Sequence, residues 1–244
     1  MAKIALITGA DKGIGFETAR QLARDHGLTV LLGARDAKLG QAAALQLQKE
    51  GLDARFLLLD PNDAASVEAA AQQVAADHGH LDVLINNAGM FVKADTETPP
   101  AQLPLADLRD TFEINVFALH QVTRAFWPLL EKAEAARLVN ASSITGSLGE
   151  QTDPAGPFKD ATQKMLAYDT SKAAVNMMTI HYAWQWRNGP HHANSAHPGD
   201  VKTDLNGAGT ITVQEGAKTA VALATSGPDG PNGGFFHLGE QLPW

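Results

Sequence analysis

A chain of 244 residues suffices for one α/β domain with a buried core. Lys and Arg number 19 against 27 Asp and Glu, a net charge of −8 that argues against a nucleic-acid surface; the absence of cysteine excludes disulfides, thiolate zinc sites and a cysteine nucleophile. The first apolar run is short and ends at a glycine turn, which does not read as a signal peptide, and no apolar stretch is long enough for a bilayer, so a cytoplasmic protein is expected.

Residues 3–8 read as a buried parallel strand. The turn that follows, Thr8-Gly9-Ala10-Asp11-Lys12-Gly13-Ile14-Gly15, opens a helix predicted over 16–25. A glycine-rich turn between a first strand and a helix brings backbone N–H groups and the positive helix end up to a pyrophosphate. A plain strand-to-helix turn needs one glycine, and here there are three, spaced Gly-x-x-x-Gly-x-Gly. A second strand over 29–32 leads into Gly33-Ala34-Arg35-Asp36. Sites for NAD place an acid near this point to hold the ribose hydroxyls, whereas Ala34 and Arg35 offer a neutral residue and a cation, which suits a 2′-phosphate. Lys12 is a candidate second cation, although both charges also fit an ordinary surface. Asp36 reads as the N-cap of a helix over 37–50.

A third strand over 55–59 ends beside Asp60, an acid suited either to the adenine amino group or to capping the turn through Pro61-Asn62-Asp63. After an alanine-rich helix, Ala64–His78, a strand over 82–85 runs into Asn86-Asn87-Ala88-Gly89, small residues that permit close approach of a ligand and amides that can pin neighbouring strands. Residues 105–130 form a long helical stretch with Pro128 near its end, and Arg137–Ala141 is a fifth strand delivering Ser142 and Ser143. Tyr168 and Lys172 stand four apart on a predicted helix and so share one face. A phenol of pKa ~10 exchanges protons poorly at neutral pH, and a neighbouring cation would lower that value. Alone, such a pair fits a solvated helical stripe equally well. His191 and His192 are adjacent on a strand and point to opposite faces, which implies no metal site.

Taken together, Thr8-Gly9-x-x-x-Gly13-x-Gly15, Asn86-Asn87-Ala88-Gly89, Asn115, Ser143, Tyr168-x-x-x-Lys172 and Pro198-Gly199-Asp200-Val201-Lys202-Thr203 resemble the short-chain dehydrogenase/reductase family along nearly the whole chain. Lys12-Gly13-Ile14-Gly15, Gly33-Ala34-Arg35-Asp36 and Gly233-Gly234-Phe235-Phe236 resemble its NADPH-dependent carbonyl reductases. The resemblance implies that Ser143 polarises the substrate carbonyl, that Tyr168 is the proton donor, and that Asn115 holds a water linking Lys172 to solvent. It implies further that the turn Pro198, Gly199, Val201 and Thr203 holds the nicotinamide carboxamide. Asp200 departs from the family, which commonly has an aromatic or apolar residue there. Residues 205–211 resemble a substrate lid, with Met90, Phe91 and Val92 as the opposite wall. The polar segment 149–164 resembles an insertion of the carbonyl-reductase branch; if it covers the helix after Tyr168, a monomer is expected. Trp184 and Trp186 fit either an interface or local packing.

The expected architecture is a single-domain, Rossmann-like doubly wound parallel sheet of about seven strands with helices on both faces. The expected ligands are NADP(H) and a small carbonyl or alcohol. Gly9, Lys12, Gly13, Ile14, Gly15, Arg35, Asp60, Asn87, Ala88, Gly89, Tyr168, Lys172, Pro198, Gly199, Val201 and Thr203 are the candidate cofactor contacts. Asn115, Ser143, Tyr168 and Lys172 are the candidate catalytic set. Reduction of a ketone or aldehyde is the leading activity, with alcohol oxidation at the same site or a non-catalytic nucleotide sensor as alternatives.

Overall fold

The computed structural model describes residues 2–162 and 164–244. Its frame is one eight-stranded sheet, ordered β3-β2-β1-β4-β5-β6-β7-β8. The strands are β1 (Ile4–Thr8), β2 (Thr29–Ala34), β3 (Ala54–Leu58), β4 (Val83–Asn86), β5 (Arg137–Ala141), β6 (His192–Ala196), β7 (Phe235–His237) and β8 (Glu240–Gln241). The first seven run parallel and β8 turns back antiparallel on β7, one strand more than the sequence led us to expect. Chain order reverses between β2-β1 and β4, so the carboxyl ends of β1 and β4 open side by side.

The helices are α1 (Gly13–His26), α2 (Ala37–Lys49), α3 (Ala64–His78), α4 (Ala94–Glu97), α5 (Leu105–Phe112), α6 (Leu119–Leu130), α7 (Leu148–Thr152), α8 (Leu166–Gln185) and α9 (Val213–Ala224). A strand buried on both faces sends alternate side chains into separate cores, and β1 does this. Leu6 joins Val67 of α3, Phe126 of α6 and Trp186, while Ala5 and Ile7 join Leu22 of α1, Leu47 of α2 and Val221 of α9. Helix starts follow local chemistry. The Asp36 carboxylate accepts from the Leu39 N–H as foreseen, Asp63 does the same for Ala65, and Thr212 with Glu215 forms a capping box for α9.

Three expectations change. Helix α1 begins at Gly13 rather than at 16, so the turn's own glycines form its first turn. The stretch 105–130 is not one regular helix, because a π turn over Glu113–Ala118 separates α5 from α6. Segment 149–164 is a surface loop only in part: it overlaps α7, and residue 163 lies outside the described residues. Nor does it cover α8. Gln151 Nε2 donates to Asp169 in the first turn of that helix, but Met177 and Trp184 further along are 55% and 63% exposed, so the premise of the monomer expectation fails there. The two tryptophans divide. Trp186 packs locally, stacked on Trp127 at 4.3 Å, while Trp184 lies open beneath Arg187. Among the described residues no helix is long and apolar enough to cross a membrane.

Phe126 is fully buried where α6 meets the sheet. Phe126→Ala should destabilise the fold by about 3–5 kcal/mol, seen as a lower urea midpoint at unchanged slope.

Candidate active site

A groove of about 810 Å³ crosses the carboxyl ends of the strands. Gly9, Lys12, Gly13, Ile14, Gly15, Arg35, Asp60, Asn87, Ala88, Gly89 and Thr203 line it, together with Ala34, Met90, Ile114, Asp204 and Leu205. The glycines are required by contact. Gly9 has φ +62, and a Cβ there would meet Ala88 Cα at 3.2 Å; a Cβ on Gly15 would collide with the Gly9 carbonyl oxygen and with Asn87 Nδ2. The turn is stitched to β4 from the other side. Thr8 Oγ1 accepts from the Asn87 and Ala88 N–H groups at 3.0 Å, and Asn87 Nδ2 donates back to the Thr8 and Gly9 carbonyls. Asn86 Nδ2 performs the same task towards β5, donating to Asn140 Oδ1 and Thr123 Oγ1. Lys12, the N-cap residue of α1, makes no side-chain cap, and no acid occupies the first turn. A dinucleotide fits this cradle: there is no Cβ between backbone and ligand, and a positive helix end faces the groove.

The two cations differ. Arg35 is exposed and has no ion-pair partner among the described residues, whereas Lys12 Nζ donates to Asp204 Oδ2 at 2.8 Å across the groove mouth. Lys12 is therefore tied to the segment just before 205–211 as well as lining the groove. Asp60 lines the groove and also caps the turn, its Oδ1 accepting from the Asn62 N–H. Pro198, Gly199 and Val201 lie off the groove lining, and Val201 is buried against Gly216. Asp200, the departure from the family pattern, is turned to the lid. Its carboxylate accepts from Asn206 Nδ2 at 2.7 Å and Thr210 Oγ1 at 3.1 Å, tying both ends of 205–211 together.

Asn115, Ser143, Tyr168 and Lys172 do not line the groove; Asn115 and Lys172 stand directly behind its Gly89 wall. A Cβ on Gly89 would lie 3.3 Å from Asn115 Oδ1 and 3.5 Å from Lys172 Nζ. Lys172 is 5% exposed; its ammonium donates to the Ala141 carbonyl at 2.9 Å and sits 5.5 Å from the centre of the Tyr168 ring. Ser143 follows β5 and lies close enough to the Tyr168 phenol to oppose its upward shift. Its Oγ also accepts from the Thr145 N–H at 3.3 Å. Ser142 points away and donates to the Lys172 carbonyl at 3.4 Å. Phe91 meets the Tyr168 ring edge-on at 5.9 Å.

One expectation is corrected. Desolvation, more than the neighbouring cation, governs the phenol: burial pushes Tyr168 up to about 12 against the opposing hydrogen bond from Ser143, and the same burial brings Lys172 down to about 8. Asn115, on the π turn, spends its side chain on the neighbouring backbone and α8. Its Oδ1 accepts from the Met90 N–H and its Nδ2 donates to the Met90 carbonyl, each at 2.8 Å, with a further bond to Ser171 Oγ.

Sequence reasoning missed Asp95. It is 1% exposed on α4, and its carboxylate accepts from the backbone N–H groups of Ala167 and Tyr168 at 3.1 and 2.8 Å. Asp169 was missed as well; burial pushes it up to about 6, opposed by a hydrogen bond from Thr145 and aided by the charge of Asp95. No local pattern marks either acid, because their neighbours come from distant segments.

Residues 3–212 match the sequence profile of the short chain dehydrogenases. The chain belongs to the short-chain dehydrogenase family. It is 32% identical to the NADPH carbonyl reductase 1 of Mus musculus over 280 aligned residues, covering 99% of this chain and 98% of that protein. It is 31% identical to the (+)-neomenthol dehydrogenase of Capsicum annuum, covering 98% and 96%. Among solved structures it superposes on an NADPH-bound carbonyl reductase from chicken fatty liver with a TM-score of 0.83 and 27% identity, covering 100% and 99% of the two chains. Membership makes this short-chain dehydrogenase an oxidoreductase acting on carbonyl or hydroxyl groups.

Burying the Lys172 ammonium opposes folding. A pKa of about 8 against 10.5 for the ordinary side chain corresponds to ~3 kcal/mol. The cost is complete below pH 8 and fades as pH rises to 10.5, where the unfolded lysine also loses its charge. Lys172→Met should therefore be more stable than the parent at pH 7 by about 1–3 kcal/mol, with the difference closing at high pH in urea titrations.

Proposed function

We propose that this protein is an NADPH-dependent carbonyl reductase. The observation that carries the reading is the Lys172 ammonium, buried behind Gly89 of the dinucleotide-shaped groove and 5.5 Å from the centre of the Tyr168 ring, with Ser143 close to the phenol. NADPH, when bound, supplies the hydride. Gly9, Gly13 and Gly15 would hold its pyrophosphate, and Arg35 would pair with the 2′-phosphate. Ser143 donates a hydrogen bond to the substrate oxygen, polarising the carbonyl and fixing its distance from Tyr168. Tyr168 passes its proton to the oxygen as negative charge develops there. Lys172, charged at neutral pH with a pKa of about 8, stabilises the phenolate left behind. Asn115 anchors Met90 and so the wall of the substrate space. The names of the murine and avian relatives support the cofactor, since both are described with NADPH.

Reduction is the proposed direction because the carbonyl reductases that the chain resembles are described with NADPH. Burial pushes the phenol up to about 12, so it carries its proton when a carbonyl arrives. Oxidation, the activity named for the Capsicum annuum relative, would use the same residues in reverse.

Tyr168→Phe should lower kcat for carbonyl reduction by about 10²–10⁴ while NADPH still binds; retention of most of kcat would remove Tyr168 from the mechanism. Arg35→Ala should weaken NADPH by roughly 10- to 150-fold, the loss of ~1.5–3 kcal/mol of charge-assisted hydrogen bonding, with NADH scarcely affected. Equal losses in kcat/KM with both cofactors would assign Arg35 to the fold instead.

A further inference from the structure

Helix α8 starts without a cap of its own. Its N-cap residue, Met165, has no side-chain acceptor for the first-turn N–H groups, which no carbonyl within the helix can satisfy. The missing acceptor comes from 72 and 73 residues upstream: Asp95 Oδ1 takes the Ala167 N–H and Oδ2 the Tyr168 N–H. A buried carboxylate suits this place, because it faces the positive end of a 20-residue helix and accepts through both oxygens. Asp95 does not float. The segment that carries it is pinned at Met90 by both ends of the Asn115 amide, and its Phe91 ring lies edge-on against Tyr168.

We infer that Asp95 is a positioning residue for the reaction, setting the first turn of α8 so that the Tyr168 phenol meets the Ser143 hydroxyl. The two hydroxyls ride on different supports: Ser143 follows β5, whereas Tyr168 is the third residue of α8. Lys172 and Ser142 tie the next turn of α8 to the end of β5, and a contact at the start of α8 sets how the turn that bears Tyr168 lies against the rest of the site. Asp95 bonds directly to the N–H of Tyr168 itself, so a shift in that bond moves the residue bearing the phenol. The inference rests on Tyr168 being the proton donor proposed above.

The test compares Asp95→Ala, Asp95→Asn, Tyr168→Phe and a control, Asp82→Ala, in the full chain with NADPH and a carbonyl substrate. Asp82 is also a buried carboxylate, accepting from the Ile4 N–H at 2.7 Å, but it precedes β4 at the opposite end of the sheet. Asp95→Ala should lower kcat by roughly 10- to 100-fold, the scale expected of a displacement near 1 Å, with the NADPH dissociation constant unchanged within about threefold. Asp95→Asn keeps one acceptor oxygen and should recover part of the loss. Asp82→Ala should lower the melting temperature without lowering kcat. If Asp95→Ala does not fold, Asp95→Asn decides: a fall in kcat at unchanged NADPH affinity supports the inference, and parental kcat overturns it. Parental kcat in Asp95→Ala, with Tyr168→Phe inactive, overturns the positioning role and leaves the proposed reaction standing. An equal fall of kcat in Asp82→Ala overturns it as well, because any lost buried carboxylate would then suffice. Retained activity in Tyr168→Phe would remove both.

Discussion

A lysine ammonium held inside the protein by a single backbone carbonyl is the constraint around which this structure is arranged. Lys172 reaches the Ala141 carbonyl at the end of β5 only because α8 lies very close to the residues that follow that strand. Gly146 makes the approach possible, since a Cβ there would stand 2.6 Å from the Lys172 carbonyl carbon. Ser142 fastens the same turn by donating to the Lys172 carbonyl, and Gly89 leaves space beside Nζ on the groove side. Each of these small residues clears or secures room for a charge that burial alone would disfavour.

The sheet makes that arrangement available to a ligand. Order reverses between β1 and β4, and the gap between their ends receives both the glycine turn and the Asn87-Ala88-Gly89 backbone. Amide side chains then lock the gap at a fixed width, Asn87 towards β1 and Asn86 towards β5. The groove and the charged cluster thus share Gly89 as a common wall, with Arg35 on the groove lining and Lys172 behind that wall.

Much of this was legible in the sequence, because it rests on local rules. Three glycines at a strand end, an aspartate at a helix start and a Tyr-Lys pair at helical spacing each carry their meaning within a few residues. The rest depends on contacts between distant segments. The Lys12–Asp204 pair spans 192 residues and the Asp95 cap 72, and neither leaves a trace in its own neighbourhood. The direction of the Tyr168 shift was misread for a related reason. Spacing shows that a cation is near, but only packing shows that Lys172 is buried and Tyr168 partly so, and desolvation is the larger effect.

The π turn over Glu113–Ala118 carries a consequence for how this chain tolerates length changes. A wide turn holds one residue more than the regular spiral, so α5 and α6 are out of phase by about 100° relative to an unbroken helix. Asn115 points at Met90 and Ser171 from within that extra residue's span, while α6 presents Val122, Phe126 and Leu129 to the core. Removing a single codon here would leave a better-formed helix and a poorer protein, since either the amide or the apolar face would be rotated out of place. Loops elsewhere can gain or lose residues along a lineage; this stretch can change its letters but not its count.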